Sequence, residues 1–150
     1  MKINLGIRAL KGKTGPIAAA VAAVLAAAVF GAPSYAQLPP VQHQGTVEYL
    51  SGGIGLDEST AFKEAMSNYP LAMTFASRVV DRNAYASDVQ VVIRDRQDQS
   101  VLDVTSNGPY LLVKLPPGKY QVSATYENKT QSQDISVGAT GTRRIVFEWR

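Results

Sequence analysis

The run Gly108-Pro-Tyr-Leu-Leu-Val-Lys-Leu-Pro-Pro-Gly-Lys-Tyr-Gln-Val-Ser-Ala-Thr-Tyr126 decides how the rest of the chain is read. Pro117 pre-sets the φ of a turn's second residue, and Gly118 suits the positive φ that a type II turn requires at its third. The stretch therefore predicts two strands joined at a rigid corner. After the corner, Tyr120, Val122, Ala124 and Tyr126 share one face of a strand while Gln121, Ser123 and Thr125 share the other. Such a strand has one dry side and one wet side.

Working outward, the same period of two recurs. On the C-terminal side, Asn128 suits a left-handed hairpin position. Gln133, Ile135 and Val137 then form an inward face, Gly138 to Gly141 turns, and Ile145, Phe147 and Trp149 alternate through Arg143 to Arg150. On the N-terminal side, Asn107-Gly108 is the dipeptide of a tight type I′ hairpin between Val101–Thr105 and Tyr110–Leu115. Asp95 to Gln99 is a polar turn, Val89, Val91 and Ile93 alternate before it, and Arg78 to Ser87 is a polar connection. Leu71, Met73 and Phe75 begin the series. Seven strands separated by short turns predict a mainly β, antiparallel β-sandwich. Thr46 to Leu50 allows one more short strand ahead of them.

One helix precedes the strands. Ala61, Phe62, Ala65, Met66 and Tyr69 recur with helical period over Asp57 to Tyr69, and Pro70 stops it. Asp57 or Ser59 is the expected cap, with Asp57 and Glu58 complementing the positive end of the dipole. The stripe predicts a short amphipathic helix laid on a sheet. Before it stands Ser51-Gly52-Gly53-Ile54-Gly55, where three glycines in four positions mark backbone that turns sharply or approaches something closely. The loop has no Lys-Ser/Thr after its last glycine and does not match G-x-G-x-x-G, so it is not a phosphate loop. Gly52, Gly53, Gly55, Asp57 and Glu58 are the candidate binding loop.

The first 36 residues read as a leader. Lys2, Arg8, Lys11 and Lys13 form a basic head, Ile17 to Phe30 is an uncharged apolar run, and small residues lead to Ser34-Tyr35-Ala36. These are the parts of a Sec-type signal peptide, with cleavage expected after Ala36, and the apolar run falls short of the roughly 20 residues of a spanning helix. A flexible leader, residues 37–45, and a folded domain, residues 46–150, are expected to follow. The chain carries a net charge of +3, but all of its excess comes from the leader: the remainder holds eleven basic against twelve acidic side chains. Nucleic acid is therefore not an expected partner. There is no cysteine, and His43 is the only histidine, so thiolate metal sites and disulfides are excluded and no zinc site is expected.

The runs Asp88-Val89-Gln90-Val91-Val92-Ile93-Arg94-Asp95 and Val101-Leu102-Asp103-Val104-Thr105-Ser106-Asn107-Gly108, followed by Leu115-Pro116-Pro117-Gly118-Lys119-Tyr120-Gln121-Val122, resemble a carboxypeptidase regulatory-like domain. The resemblance spans Asp88 to Trp149. It implies a seven-stranded transthyretin-like (prealbumin-like), Ig-like sandwich and a non-catalytic module. With the Gly52-to-Glu58 segment and the helix, the chain is also similar to a group of small exported proteobacterial proteins.

The functional expectation is a periplasmic or secreted binding or accessory module, without cofactor or metal. It holds a protein or an envelope polymer through an exposed edge strand or the Gly52-to-Glu58 loop, and it does not span the membrane once the leader is removed. Two alternatives stand beside it. One is a hydrolase of envelope glycan or peptide, using Asp57 and Glu58 or the set Asp81, Asp88 and Asp95. The other is a small outer-membrane barrel, suggested by the aromatic last strand. Tyr85, Tyr110 and Tyr126 are candidate contact residues if exposed.

Overall fold

The computed structural model describes residues 37–79 and 82–150. The expected leader, its cleavage after Ala36, and Asp81 lie outside the described residues. The described strands form two sheets. In the first, β1 (Gln42–Gln44), β2 (Val47–Gly52), β7 (Tyr110–Lys114), β3 (Leu71–Val79) and β10 (Arg143–Trp149) lie side by side, and β4 (Arg82–Tyr85) pairs with the far half of β3. The second runs β6 (Ser100–Ser106), β5 (Val89–Arg94), β8 (Gly118–Tyr126), β9 (Lys129–Val137). Neither sheet closes on itself, which overturns the barrel alternative. Among the described residues no helix is long and apolar enough to cross a membrane.

The two sheets face each other across one apolar core. Leu71, Met73, Phe75, Leu111, Val113, Ile145 and Phe147 come from the first; Val89, Val91, Ile93, Leu102, Val122 and Ala124 come from the second. Phe75, Phe147 and Trp149 form an aromatic group with ring centroids 6.1–6.4 Å apart. The alternation expected of β8 holds: Val122 and Ala124 are buried, Tyr120 and Tyr126 half-buried against the core, and Gln121 exposed. Glu127 and Asn128 both take positive φ, 48° and 63°, in the two-residue hairpin loop that joins β8 to β9.

Four expectations are corrected. The antiparallel order fails at β10, which runs parallel to β3 with Arg143 opposite Leu71 and Trp149 opposite Ser77. Ten strands are described rather than seven. The additions are β1, paired to β2 within residues 37–45, where a flexible leader was expected; β2 itself, foreseen as a short strand; and β4, where an irregular connection was expected. Asn107-Gly108 is not a hairpin turn, because β6 and β7 belong to different sheets and neither residue has positive φ. The Leu115-Pro116-Pro117 corner is likewise a crossing between sheets, and Gly118 also lacks the positive φ of a type II turn. What fixes that corner is Tyr120, whose hydroxyl donates back to the Pro116 carbonyl at 2.7 Å, the hydrogen bond of a tyrosine corner.

A helix, α1 (Leu56–Ala65), extended by a 3-10 turn over Met66–Asn68, covers the outer face of the first sheet. All five residues of the predicted stripe are buried, and Phe62, Ala65, Met66 and Tyr69 pack with Leu50, Ala72, Tyr110 and Leu112 in a second apolar cluster. Strand β7 is thus buried on both faces, which explains why Tyr110-Leu111-Leu112-Val113 shows no alternation.

Replacing Tyr120 with Phe removes the corner bond while keeping the ring. Urea melts of that variant should show a loss of about 1 kcal/mol with an unchanged slope; an unaltered midpoint would mean that the prolines alone hold the corner.

Candidate functional site

The glycine loop is built from the packing beneath it. Strand β2 ends at Gly52, opposite Tyr110 of β7, and the chain must leave the sheet there to enter the helix above. At Gly52 (φ 155°) a β carbon would collide with Glu58 Oε1 and press on the Phe62 ring; at Gly53 (φ 94°) it would collide with the Tyr110 ring. Gly108, from the crossing between β6 and β7, has its α carbon against the Gly52 carbonyl, where a β carbon would also collide. Gly55 has open space around it, but φ 86° and ψ 166° place it in a region essentially reserved for glycine. The loop is therefore held in one shape by steric contact.

Glu58 completes the restraint. The Gly53 N–H donates to its Oε1 at 2.7 Å. A hydrogen bond to a charged acceptor is worth about 1.5–3 kcal/mol, against about 0.3–1 kcal/mol for a first-turn carboxylate acting on the helix dipole alone. The specific bond dominates. Neither Asp57 nor Ser59 caps the helix: the cap position is Gly55, with no side-chain bond, and the Ser59 hydroxyl donates to the Leu56 carbonyl. The reason is that α1 starts one residue early, which makes Glu58 the third helical residue and aims it backward, past the amide of the cap itself that a capping box would use, to that of Gly53.

The loop presents apolar side chains to water. Ile54 is 65% exposed and Leu56 80% exposed, on either side of Gly55 and just after the buried Gly53. Tyr85, 59% exposed, is linked to the loop through Tyr110: its ring centroid is 5.8 Å from that of Tyr110, which in turn backs Gly53 and stacks on Phe62 at 5.9 Å. Burial, and then the neighbouring Tyr85 hydroxyl, push the Tyr110 phenol far above its usual range, so it stays neutral and structural. Of the three tyrosines singled out from sequence, only Tyr85 is exposed; Tyr126 packs on Trp149 at 5.4 Å.

Sequence reasoning found the glycines and carboxylates of the loop and singled out Tyr85 as a contact residue if exposed, but missed Ile54 and Leu56. Leu56 carried a signal: at 100° per residue it falls nearly opposite the Ala61-to-Tyr69 stripe, so a helix starting there must expose it. The sequence did not place Tyr85 near the loop, because its neighbour Tyr110 is 25 residues away.

The remaining candidates do not converge. Asp57 is exposed, while Glu58 is committed to Gly53. Asp88 and Asp95 stand at opposite ends of β5, roughly 20 Å apart at 3.3 Å per residue. Asp95 Oδ1 also accepts from the Gln97 and Gln99 amides at 2.9 and 3.0 Å. His43 lies in β1 opposite Glu48, whose carboxylate is taken by Lys114 at 2.7 Å. Among the described residues no three His, Cys, Asp or Glu side chains gather as a metal site. A groove of about 420 Å³, lined by Asp95, Arg96, Lys119, Tyr120 and Asp134, opens at the end of the sandwich away from the loop. Its Tyr120 and Asp95 already serve the corner and the turn. No protein-family model matches the chain, and no curated protein is similar to it.

Two outcomes check this geometry. Glu58→Ala should speed hydrogen exchange at the Gly53 amide and cost about 1–2 kcal/mol; unchanged exchange would mean that packing alone sets the loop. The Lys114 ammonium, by hydrogen bond and by charge, holds the Glu48 carboxyl below its usual range. The stability it contributes is present above the unfolded-state pKa and is lost as pH falls through the lower folded value. In Lys114→Met, NMR titration should find the Glu48 midpoint raised toward its ordinary value.

Proposed function

We propose that this protein is a non-catalytic binding or accessory module of the periplasm or the secreted space, exported by the leader and released after Ala36. Its domain is of the carboxypeptidase regulatory-like type, with a transthyretin-like sandwich, modified by the glycine loop and helix. The division into two facing sheets and the crossing at Leu115 to Pro117 support this fold assignment. The observation that carries the function is the pairing of opposites in one loop: a rigid backbone, fixed by Gly52, Gly53, Gly55 and Glu58, that keeps Ile54 and Leu56 in water. Apolar residues on a constrained loop gain nothing for folding; they serve a partner that covers them. That partner is a protein or an envelope polymer.

A pull-down from envelope extract tests the proposal. Leu56→Asp alters only an exposed position, so it should fold as the parent does and lose at least tenfold of the captured material. Gly53→Val should lose binding as well, by driving the loop off Tyr110. Capture unaffected by both variants would make the loop a purely structural connection.

A further inference from the structure

We infer that the open edge of β4 is a strand-addition site for an extended segment of a partner protein, with aliphatic side chains at alternate positions and a lysine or arginine at one flank. The inference rests on the proposed binding role of the neighbouring loop and names its partner. One edge of β3 is shared by two strands: β7 takes Leu71 to Thr74, and β4 takes Ala76 to Val79. Strand β4 therefore continues the line of β7. Beyond β7 the next line is filled by β2, but β2 stops at Gly52 opposite Tyr110. Beyond β4 no described strand follows, so the sheet has a notch where β2's line would run on.

The notch offers both halves of a strand-binding site. The Ala86 N–H donates to the Phe75 carbonyl at 3.1 Å. Antiparallel alternation then turns Ala84 toward β3 and the amides and carbonyls of Asn83 and Tyr85 toward the notch. Tyr85 supplies exposed apolar surface on that strand, and its ring packs on Tyr110, which backs Gly53, the residue before exposed Ile54. Asp57, exposed next to Leu56 and in no ion pair among the described residues, calls for a basic flank.

Other edges are less suited. On β10, Gln133, Gln131 and Lys129 donate to the carbonyls of Val146, Glu148 and Arg150 at 2.9, 2.6 and 3.0 Å. On β6, the Gln44 amide pairs with both backbone groups of Asp103, at 2.9 and 2.6 Å. Strand β1 is three exposed polar residues long. The β4 edge combines outward backbone with an exposed aromatic residue, the combination used in strand addition.

Selection of displayed random twelve-residue peptides on the full chain tests the inference, with a synthetic copy of the enriched peptide measured by fluorescence anisotropy. Enriched peptides should alternate aliphatic residues beside a basic one. Tyr85→Pro removes an outward amide that the fold does not use, so it should weaken binding about tenfold more than Tyr85→Ala; Asn83→Pro is a second amide-deleting variant should the first fail to fold. Leu56→Asp should also weaken the peptide about tenfold. No enrichment, or affinity indifferent to the proline variants, overturns the inference. An envelope-glycan array bound by the parent chain and lost in Leu56→Asp, without peptide enrichment, overturns it too while leaving the loop a binding site.

Discussion

Burial of β7 on both faces is the constraint on which the rest of the molecule depends. Leu111 and Val113 fill the core between the sheets; Tyr110 and Leu112 fill the cluster under the helix. Four consecutive buried side chains, at roughly 1.5–3 kcal/mol each, tie the helix layer to the sandwich. The helix is therefore part of the fold's stability. Its arrival over the sheet forces the chain to leave β2 at Gly52, and the tight turn there requires glycine at Gly52 and Gly53 because Glu58, Phe62 and Tyr110 occupy the space a β carbon needs.

The same constraint shapes the surface. Because α1 begins at the end of the turn, Leu56 points away from the stripe and Ile54 stands between two glycines with nothing above it. The fold thus delivers apolar side chains to water on its most restrained loop. At the two sides of the sandwich the opposite tendency operates. Glutamine amides, which offer a donor and an acceptor as a peptide group does, occupy the backbone of β6 and β10 and tie one sheet to the other. Among the described residues, no side chain covers the short β4 edge in this way.

Parallel pairing of β10 with β3 places the last strand at an edge of the helix-covered sheet. Its inner face carries Ile145, Phe147 and Trp149 into the core as the alternation indicates, and the Trp149 indole N–H donates to the Lys129 carbonyl at 2.9 Å. Surface ion pairs add little here. Glu148 meets Arg78 and Arg150 at 3.4 and 3.6 Å on exposed side chains, contacts of about 0–1 kcal/mol.

Local pattern determined which residues face inward. The period of two in β5, β8 and β10, the stripe from Ala61 to Tyr69, and the left-handed position at Asn128 all depend on neighbours within a few residues, and each is present in the structure. Which strands pair was decided only by tertiary structure. Asn107-Gly108 and Pro117-Gly118 have the composition of tight turns, yet both lie on crossings between sheets, because the face that each flanking strand must bury lies in a different layer. The candidate site divides the same way. Its glycines and Glu58 stand out in the chain because backbone conformation and helix position are local properties. Tyr85 meets Tyr110, under the loop, only because two strands share one edge of β3, an arrangement between distant segments that no window of sequence contains.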